Sequence, residues 1–379
     1  MIYYLTHYVP DSESKLRYCI SPAGQNKSAY FADILSRSDL DYEIVSWAEV
    51  DSDHGFFHST NMPLGNNGTY RTFWGFGKPN GVARRLHRWL RSLQVFHFLL
   101  SLGRNDTVII YHSYTISWAV HFSKRIRNYK LILELEEIYQ DVVSLSPLTR
   151  AFETKCISCA DSFILSTRGL VNRIPVSRDY VVVNGNYTVA PKLAEHYDDG
   201  KIHCVYAGTF DPTKGGAAAA AAAAEFLPSN YHIHIIGFGT PEQVLQLKER
   251  INNVRKKCAC ELTYDGLLSG DDYVAFLQKC HIGLATQIPD AKYANTSFPS
   301  KIISYLTNGL YVLSARFPAV EDCEVSKWIS FYDKQTPKSI AEGIMSIDIS
   351  GYNDLRNQLF ILDSKVRRDF LKLITSTEE

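Results

Sequence analysis

Two lysines in the second half of the chain stand where a phosphate would bind. Lys214 lies in Gly208-Thr-Phe-Asp-Pro-Thr-Lys-Gly-Gly216, a loop that follows a short apolar run and opens an alanine-rich helix. The first N–H groups of a helix have no intrahelical partner, and the helix dipole favours an anion there. An ammonium in that loop adds a fixed cation for a diphosphate that gains charge as a bond to it breaks. Lys301 follows Pro299-Ser300 at the start of another helical stretch, after the polar run Asn295-Thr-Ser-Phe-Pro. Ser300 is an N-cap by type and position. Lys301 and the neighbouring N–H groups form a second candidate phosphate contact. Gly237 and Gly239 end a strand and admit a tight turn.

In the first half, the residues able to do chemistry fall at strand ends, where α/β proteins bind ligands. Gly24 and its neighbours Gln25, Asn26 and Lys27 lie in the loop after the first strand, and His112 ends the strand Val108–Tyr111. Glu134, Glu136 and Glu137 lie at the end of Leu131–Leu135. A His or carboxylate in such a place can take the proton of an acceptor hydroxyl. Of the adjacent Glu136 and Glu137, one must face away.

The elements that must position these groups repeat in the two halves. Ile2–Thr6 is a short apolar strand, followed by the loop Ser21–Lys27 and a helix over Ala29–Leu35. Ile202–Ala207 is again a strand, followed by its glycine loop and the run Ala217–Ala224. Alanine is the best helix former, so that run predicts a helix of small side chains that packs closely on a sheet. Further strands are expected at Glu43–Trp47, Val108–Tyr111, Leu131–Leu135, Ser162–Ser166 and Tyr180–Val183. In the second half they are expected at His232–Ile236, Glu261–Tyr264, Ile282–Ala285, Tyr311–Ser314 and Ile329–Tyr332. Helical stretches alternate with them, which predicts parallel sheets in both halves. Thr188–Gly200, with no strong pattern, is the expected hinge, and Leu355–Ile374 is a closing helix.

A length of 379 residues favours two domains. Lys plus Arg and Asp plus Glu both number 40, so no global field points to nucleic acid. The N-terminus reads as a strand without a secretory leader, and the eight cysteines are then expected as reduced thiols in the cytoplasm. Cys156-Ile-Ser-Cys159 is either a redox or metal pair or, as the plainer reading, thiols on a helix near Phe152 and Ile157; Cys258-Ala-Cys260 has no histidine at finger-like spacing, and no metal site is expected. Val82–Leu100 carries Arg84, Arg85, Arg88 and Arg91 on one side and Leu86, Trp89, Leu90, Leu93 and Phe96 on another. It is either a helix packed on the first sheet or a basic amphipathic helix for an anionic membrane surface.

Four motifs occur in order: Val205-Tyr-Ala-Gly-Thr-Phe-Asp-Pro-Thr-Lys-Gly-Gly216, Ile235-Ile-Gly-Phe-Gly239, Tyr264-Asp-Gly-Leu267 and Phe298-Pro-Ser-Lys-Ile-Ile-Ser-Tyr-Leu-Thr-Asn-Gly309. Together they resemble the second domain of retaining GT-B glycosyltransferases of the family 4 type. Ser21-Pro-Ala-Gly24, Glu134-Leu-Glu-Glu-Ile-Tyr139, Ala160-Asp-Ser-Phe-Ile-Leu-Ser-Thr167 and Val182-Val-Asn-Gly185 agree with its first domain. The resemblance implies an α/β fold, GT-B-like, with two Rossmann-like domains of parallel sheets facing across a cleft. The expected bounds are 1–190 for the acceptor-side domain and 201–350 for the donor domain, with 351–379 returning to the first.

The resemblance also implies transfer of a sugar, with retention and without an essential metal or cofactor. The donor would be a UDP- or GDP-sugar, and the acceptor a glycan or lipid-linked saccharide of a bacterial surface polysaccharide. It places Gly24, Gly208, Lys214, Gly237, Gly239, Leu267, Ser300, Lys301 and Ser304 at the donor. His112, Glu136, Glu137 and Lys214 become the catalytic candidates. The chain departs from the family at three points: Thr296 and Ser304 replace its two spaced glutamates, and Thr209 replaces its arginine. A nucleotide-sugar epimerase and a non-catalytic sugar- or partner-binding subunit are the alternative functions. The expected location is the cytoplasm, with the inner face of the cell membrane as the peripheral variant.

Overall fold

The computed structural model describes residues 1–18, 21–50, 55–77, 81–289, 294–350 and 355–376, with backbone alone at 18 and 81–84. The chain divides into two compact units: Met1–Asn186 with Lys365–Glu379, and Tyr187–Ser364.

The first unit is built on an eight-stranded sheet in the order Asp179–Val182, Ser162–Leu165, Lys130–Leu135, Thr107–Tyr111, Ile2–Thr6, Tyr42–Ser46, Gly68–Thr72, Asn61–Leu64. All neighbours are parallel except the last pair. Its central strands are mostly apolar, as strands covered on both faces are, with Glu43 and Glu134 as buried exceptions. The strand order reverses between Ile2–Thr6 and Thr107–Tyr111, which opens a crevice at the carboxyl ends of those two strands.

The last two strands were not expected from sequence. Asn61–Leu64 and Gly68–Thr72 form an antiparallel hairpin on the sheet edge, turning at Gly65 with φ +67°. Pro63 is tolerated because an edge strand need not donate on both sides. A side chain at Gly68 would overlap the Tyr42 ring, so glycine is what lets this hairpin join the sheet.

Helix Pro22–Ser36 begins seven residues earlier than the expected Ala29. Ser21 caps it, accepting from Gly24 N at 3.1 Å, and Pro22 takes the first helical position. Gly24, Gln25, Asn26 and Lys27 therefore lie in the opening turns of a helix, not in a loop.

The second unit carries a six-stranded, fully parallel sheet in the order Glu261–Gly266, Tyr231–Phe238, Ile202–Thr209, Ile282–Ala285, Tyr311–Ala315, Ile329–Tyr332. Here the order reverses between Ile202–Thr209 and Ile282–Ala285. These two strands pair only at Cys204↔Ile282 and Val205↔Gly283, then part. Tyr305 fills the gap: its hydroxyl accepts from Ala207 N at 2.8 Å and donates to Leu284 O at 3.3 Å. A side chain at Gly283 would overlap the Tyr305 ring. The alanine run forms helix Gly216–Ala223 and a following 3-10 turn, with Ala217, Ala220, Ala221 and Ala223 buried.

The segment expected as a hinge is held to the second unit. Leu193 N and Ala194 N donate to Gln278 Oε1 at 2.7 and 3.1 Å, and Tyr197 N donates to Lys279 O at 3.0 Å. The division falls before it, at Asn186–Tyr187. Helix Leu355–Thr375 starts in the second unit and finishes in the first. There Phe370 stacks on Phe31 at 4.7 Å, Arg367 pairs with Asp33 at 2.7 Å, and Lys130 Nζ donates to Leu373 O at 2.9 Å.

Candidate functional site

In the second unit the glycines mark close approaches of backbone. Gly208 and Gly237 are register partners at the carboxyl ends of neighbouring strands. Gly237 has φ +135°, and a Cβ there would fall on the Gly208 carbonyl oxygen. Gly215, the residue before helix Gly216–Ala223, has φ +65°. Gly216 lies so close to Tyr206 that a Cβ would come within 2.7 Å of its ring. Gly239 is confined by the Phe210 side chain. At these positions backbone and rings approach where a side chain would otherwise stand.

Lys301 rises from the start of helix Lys301–Thr307 beside Gly208. Its ammonium sits 3.7 Å from the centroid of the Tyr206 ring, an arrangement that a ring's negative face favours. A Cβ at Gly208 would lie 2.7 Å from Lys301 Nζ, so the glycine makes room for the cation. Protein surrounds the ammonium, although part of the side chain keeps solvent contact. Burial, and then the charge of Lys214, hold its pKa down to about 7. No carboxylate among the described residues offsets that charge. An enclosed ammonium that no described carboxylate offsets is poised for an anion.

Lys214 itself is exposed in the loop, where Ile288 N donates to its carbonyl at 3.1 Å. Ser300 precedes the helix but its side chain makes no cap hydrogen bond, against the expectation from type. Its φ of −53° and ψ of −21° are already helical, which points the hydroxyl away from the N–H groups it would cap. Ser304 bonds the Tyr273 hydroxyl at 3.2 Å, so the position of the absent glutamate is tied to a tyrosine. Thr296 is buried and its hydroxyl has no partner. Leu267 is exposed, as an apolar ligand contact requires.

The first unit collects its candidates at its own crevice. A Cβ at Gly24 would lie 3.2 Å from the Tyr111 hydroxyl, and Lys27 pairs with Glu136. Glu134 is fully buried: the Tyr4 hydroxyl donates to its Oε2 at 2.7 Å, while its Oε1 has no partner. Desolvation raises its pKa to about 8, opposed by Lys27, so the carboxyl is mostly protonated at neutral pH. A neutral carboxylic acid at a strand end beside a lysine–carboxylate pair is the strongest acid–base feature of this unit.

His112 is less available than its position suggests. It is 1% exposed, lies against Tyr139 with ring centroids 5.4 Å apart, and burial lowers its pKa to about 4. Its Nε2 stands 3.6 Å from Glu153 Oε1, which already accepts from Tyr139 N. The ring is neutral, and a contact with the Glu137 backbone opposes the effect of burial. Tyr4, Tyr206 and Tyr305 are the functional residues that sequence reasoning missed. A tyrosine in an apolar strand or helix carries no signal beyond core packing.

The basic helix spans Gly81–Leu100. Val95, Phe98 and Leu99 bury it against the first unit, while Leu86, Arg85, Arg88 and Trp89 are exposed. Arg91 does not belong to the basic surface. It is buried, donates to Trp47 O, and desolvation lowers its pKa to about 10. The side chain of Arg84 lies outside the described residues. No described helix is long and apolar enough to cross a membrane, and the seven described cysteines are free.

Two Rossmann-like α/β units with parallel sheets, each with its crevice at the point where strand order reverses, define the GT-B class of fold. No protein-family model matches the sequence, and no curated protein matches it. Solved structures do. OtsA without ligand is similar over 100% of both chains, with a TM-score of 0.71 at 10% identity. The UDP-forming α,α-trehalose-phosphate synthase of Burkholderia xenovorans, in complex with glucose-6-phosphate, is similar over 99% of both, at 0.69 and 12%. Anabaena Alr3699/HepE, in complex with UDP and glucose, covers 99% of both, at 0.66 and 12%. At such identities the likeness is one of architecture, and it does not single out the family 4 type.

Proposed function

We propose that the chain is a glycosyltransferase that takes a sugar from a UDP- or GDP-sugar. The carrying observation is Lys301, an enclosed cation with no offsetting carboxylate among the described residues, placed beside Gly208 at the crevice of the second sheet and within electrostatic reach of Lys214. A diphosphate seated there leaves as an anion, and a fixed ammonium stabilises that departure most in the transition state. Gly208, Gly237, Gly239, Ser300 and Ser304 would frame the donor, with Leu267 against its base. Glu134, Glu136, Glu137 and His112 would serve the acceptor hydroxyl, with Glu134 entering as the neutral acid. The sequence motifs favour retention and the family 4 type, and the UDP complex of a structural neighbour favours the donor class. Catalysis would need no metal.

The test is a melting-temperature screen of the full chain against nucleoside mono- and diphosphates. UDP or GDP should raise the melting temperature, because a ligand of the native state stabilises it by mass action. Radiolabelled transfer from the matching sugar nucleotide should follow. No shift with any diphosphate would remove the reading.

The acceptor in this reading is a glycan or lipid-linked saccharide of a bacterial surface polysaccharide, handled at the inner face of the cell membrane. Exposed Arg85, Arg88, Leu86 and Trp89 would touch that surface. Replacing Arg85 and Arg88 by serine should weaken binding to phosphatidylserine vesicles roughly thirtyfold at low salt, at about 1 kcal/mol per basic side chain. Sedimentation with vesicles measures this. Equal binding by the double variant would leave the helix as packing alone.

A further inference from the structure

Three histidines converge at the opposite end of the second sheet from the glycines. His232 and His234 alternate along strand Tyr231–Phe238 and so share one face, and His203 on strand Ile202–Thr209 is the register partner of His232. One ring nitrogen from each lies within 4.8 Å of the others. His203 lies roughly 16 Å along its strand from Gly208, at about 3.3 Å per residue. The cluster is therefore separate from the diphosphate crevice.

The outer contacts fix how these rings are protonated. His203 Nε2 is 2.9 Å from Asp199 Oδ1, and His234 Nδ1 is 3.1 Å from Asp265 Oδ2. An ionised carboxylate only accepts, so each ring turns an N–H outward to it. Thr263 Oγ1 stands 3.1 Å from the same His234 nitrogen and donates to Asp265 at 2.8 Å. The inner nitrogens, His203 Nδ1 and His234 Nε2, then face each other as two lone pairs at 2.9 Å. Lone pairs at that distance repel unless a cation lies between them. His232, stacked on His234 with centroids 3.8 Å apart, brings a third nitrogen to the same place. Its Nε2 stands 3.0 Å from Thr263 Oγ1 and its Nδ1 3.3 Å from Glu261 Oε2, so His232 gives up one of these contacts when it offers a lone pair to an ion.

We infer that His203, His232 and His234 bind a divalent late first-row transition metal ion, zinc foremost. Three neutral imidazoles suit this ion class, with water as the fourth ligand. Metal–nitrogen bonds of about 2.0–2.1 Å put tetrahedral ligand nitrogens about 3.4 Å apart, so on binding the 2.9 Å pair opens and the three nitrogens, all within 4.8 Å, draw to that spacing. Asp199 and Asp265 act as the outer carboxylates that orient metal-bound histidines and raise their basicity. Their two negative charges also balance the ion. Tyr197 stacks on His203 at 4.2 Å, and Phe276 meets His234 edge-on at 5.2 Å, so the rings are held on the apolar side. His232 and Glu261 leave the entry route on the more exposed side. The bound ion would staple the segment through Asp199 to two strands of the sheet.

The test uses the full chain stripped with a chelator and titrated with Zn²⁺ and, separately, Co²⁺. One equivalent of Zn²⁺ should bind per chain and raise the melting temperature by about 5–10 °C at a hundredfold excess over Kd. Co²⁺ should give the visible absorption of a low-coordinate, imidazole-ligated ion, a readout that needs no variant. His203→Gln and His234→Gln should each weaken binding at least a hundredfold, and Asp265→Asn ten- to a hundredfold. His196→Gln, on an exposed histidine that stacks on His281, should bind as the parent does. If a core variant fails to fold, His232→Asn and the Co²⁺ spectrum of the parent decide. Absence of stoichiometric Zn²⁺ binding, or equal binding by all variants, would overturn the inference and leave a shared proton between the rings.

Discussion

Lys301→Met is expected to lower kcat/KM with the sugar nucleotide by about 10²–10³ while making the unliganded protein more stable below pH 7. The first effect is the loss of one enclosed electrostatic donor to the leaving diphosphate. The second follows from the cost of holding a cation in that place. The folded-state pKa of Lys301 is depressed from 10.5 to about 7. Between those values the unfolded chain holds more protons, so this group makes stability rise with pH across that window. Below pH 7 the folded protein must carry the charge, and its full destabilising effect is felt. Methionine keeps the apolar stem and removes the slope. A bound diphosphate favours the ammonium, so binding above pH 7 should take up a proton and weaken as pH rises. Calorimetry of UDP binding in buffers of different ionisation enthalpy reads the proton, and melting curves from pH 6 to 9 read the slope. Parent-like UDP affinity in Lys301→Met would move the phosphate site elsewhere, with Lys214 the next residue to change.

Gly237→Ala is expected to destabilise the second unit by roughly 4 kcal/mol or more, at the far end of single-substitution effects. Two costs combine at this residue. Its φ of +135° is one that L side chains rarely adopt, and the new methyl would fall on the Gly208 carbonyl oxygen of the paired strand. Neither can be relieved by turning a side chain. Gly239→Ala is the milder comparison: its φ is not in the positive range, and the new methyl meets only side-chain atoms, of Gln243 at 2.8 Å and Phe210 at 3.1 Å, and no backbone. Soluble yield and thermal unfolding compare the two. Similar melting temperatures for both variants would mean that the strands part easily at this end.

The same pair of glycines explains how much the sequence could tell. Gly208 and Gly237 follow apolar runs, and strand, glycine and helix in succession are enough to foresee a Rossmann-like α/β unit. Strand Ile282–Ala285 was legible to the residue because both of its faces are buried and the run is uninterrupted. The hairpin Asn61–Thr72 was not, since an edge strand keeps polar residues and a proline. Helical spacing put Arg91 with its neighbours, but only the packing of Trp47 against it shows that this arginine is enclosed. Lys301 was visible as a lysine at a helix start. Its depressed pKa comes from burial and then from Lys214, which approaches from a distant part of the chain. The histidine cluster was hidden for the same reason: 203, 232 and 234 become neighbours only when two strands pair in one register.

The path of the last helix has a consequence for how the protein is made. Phe370 completes the stack on Phe31, and Arg367 reaches Asp33, so part of the first unit's core is synthesised last. At about 5–20 residues per second, a ribosome needs roughly ten to forty seconds to travel from Asn186 to Lys365. Through that interval the second unit gathers all its strands while the first waits with Phe31 uncovered. The earlier half of the gene therefore encodes the unit that finishes later, and a chaperone meeting the nascent chain would find its apolar target near the beginning.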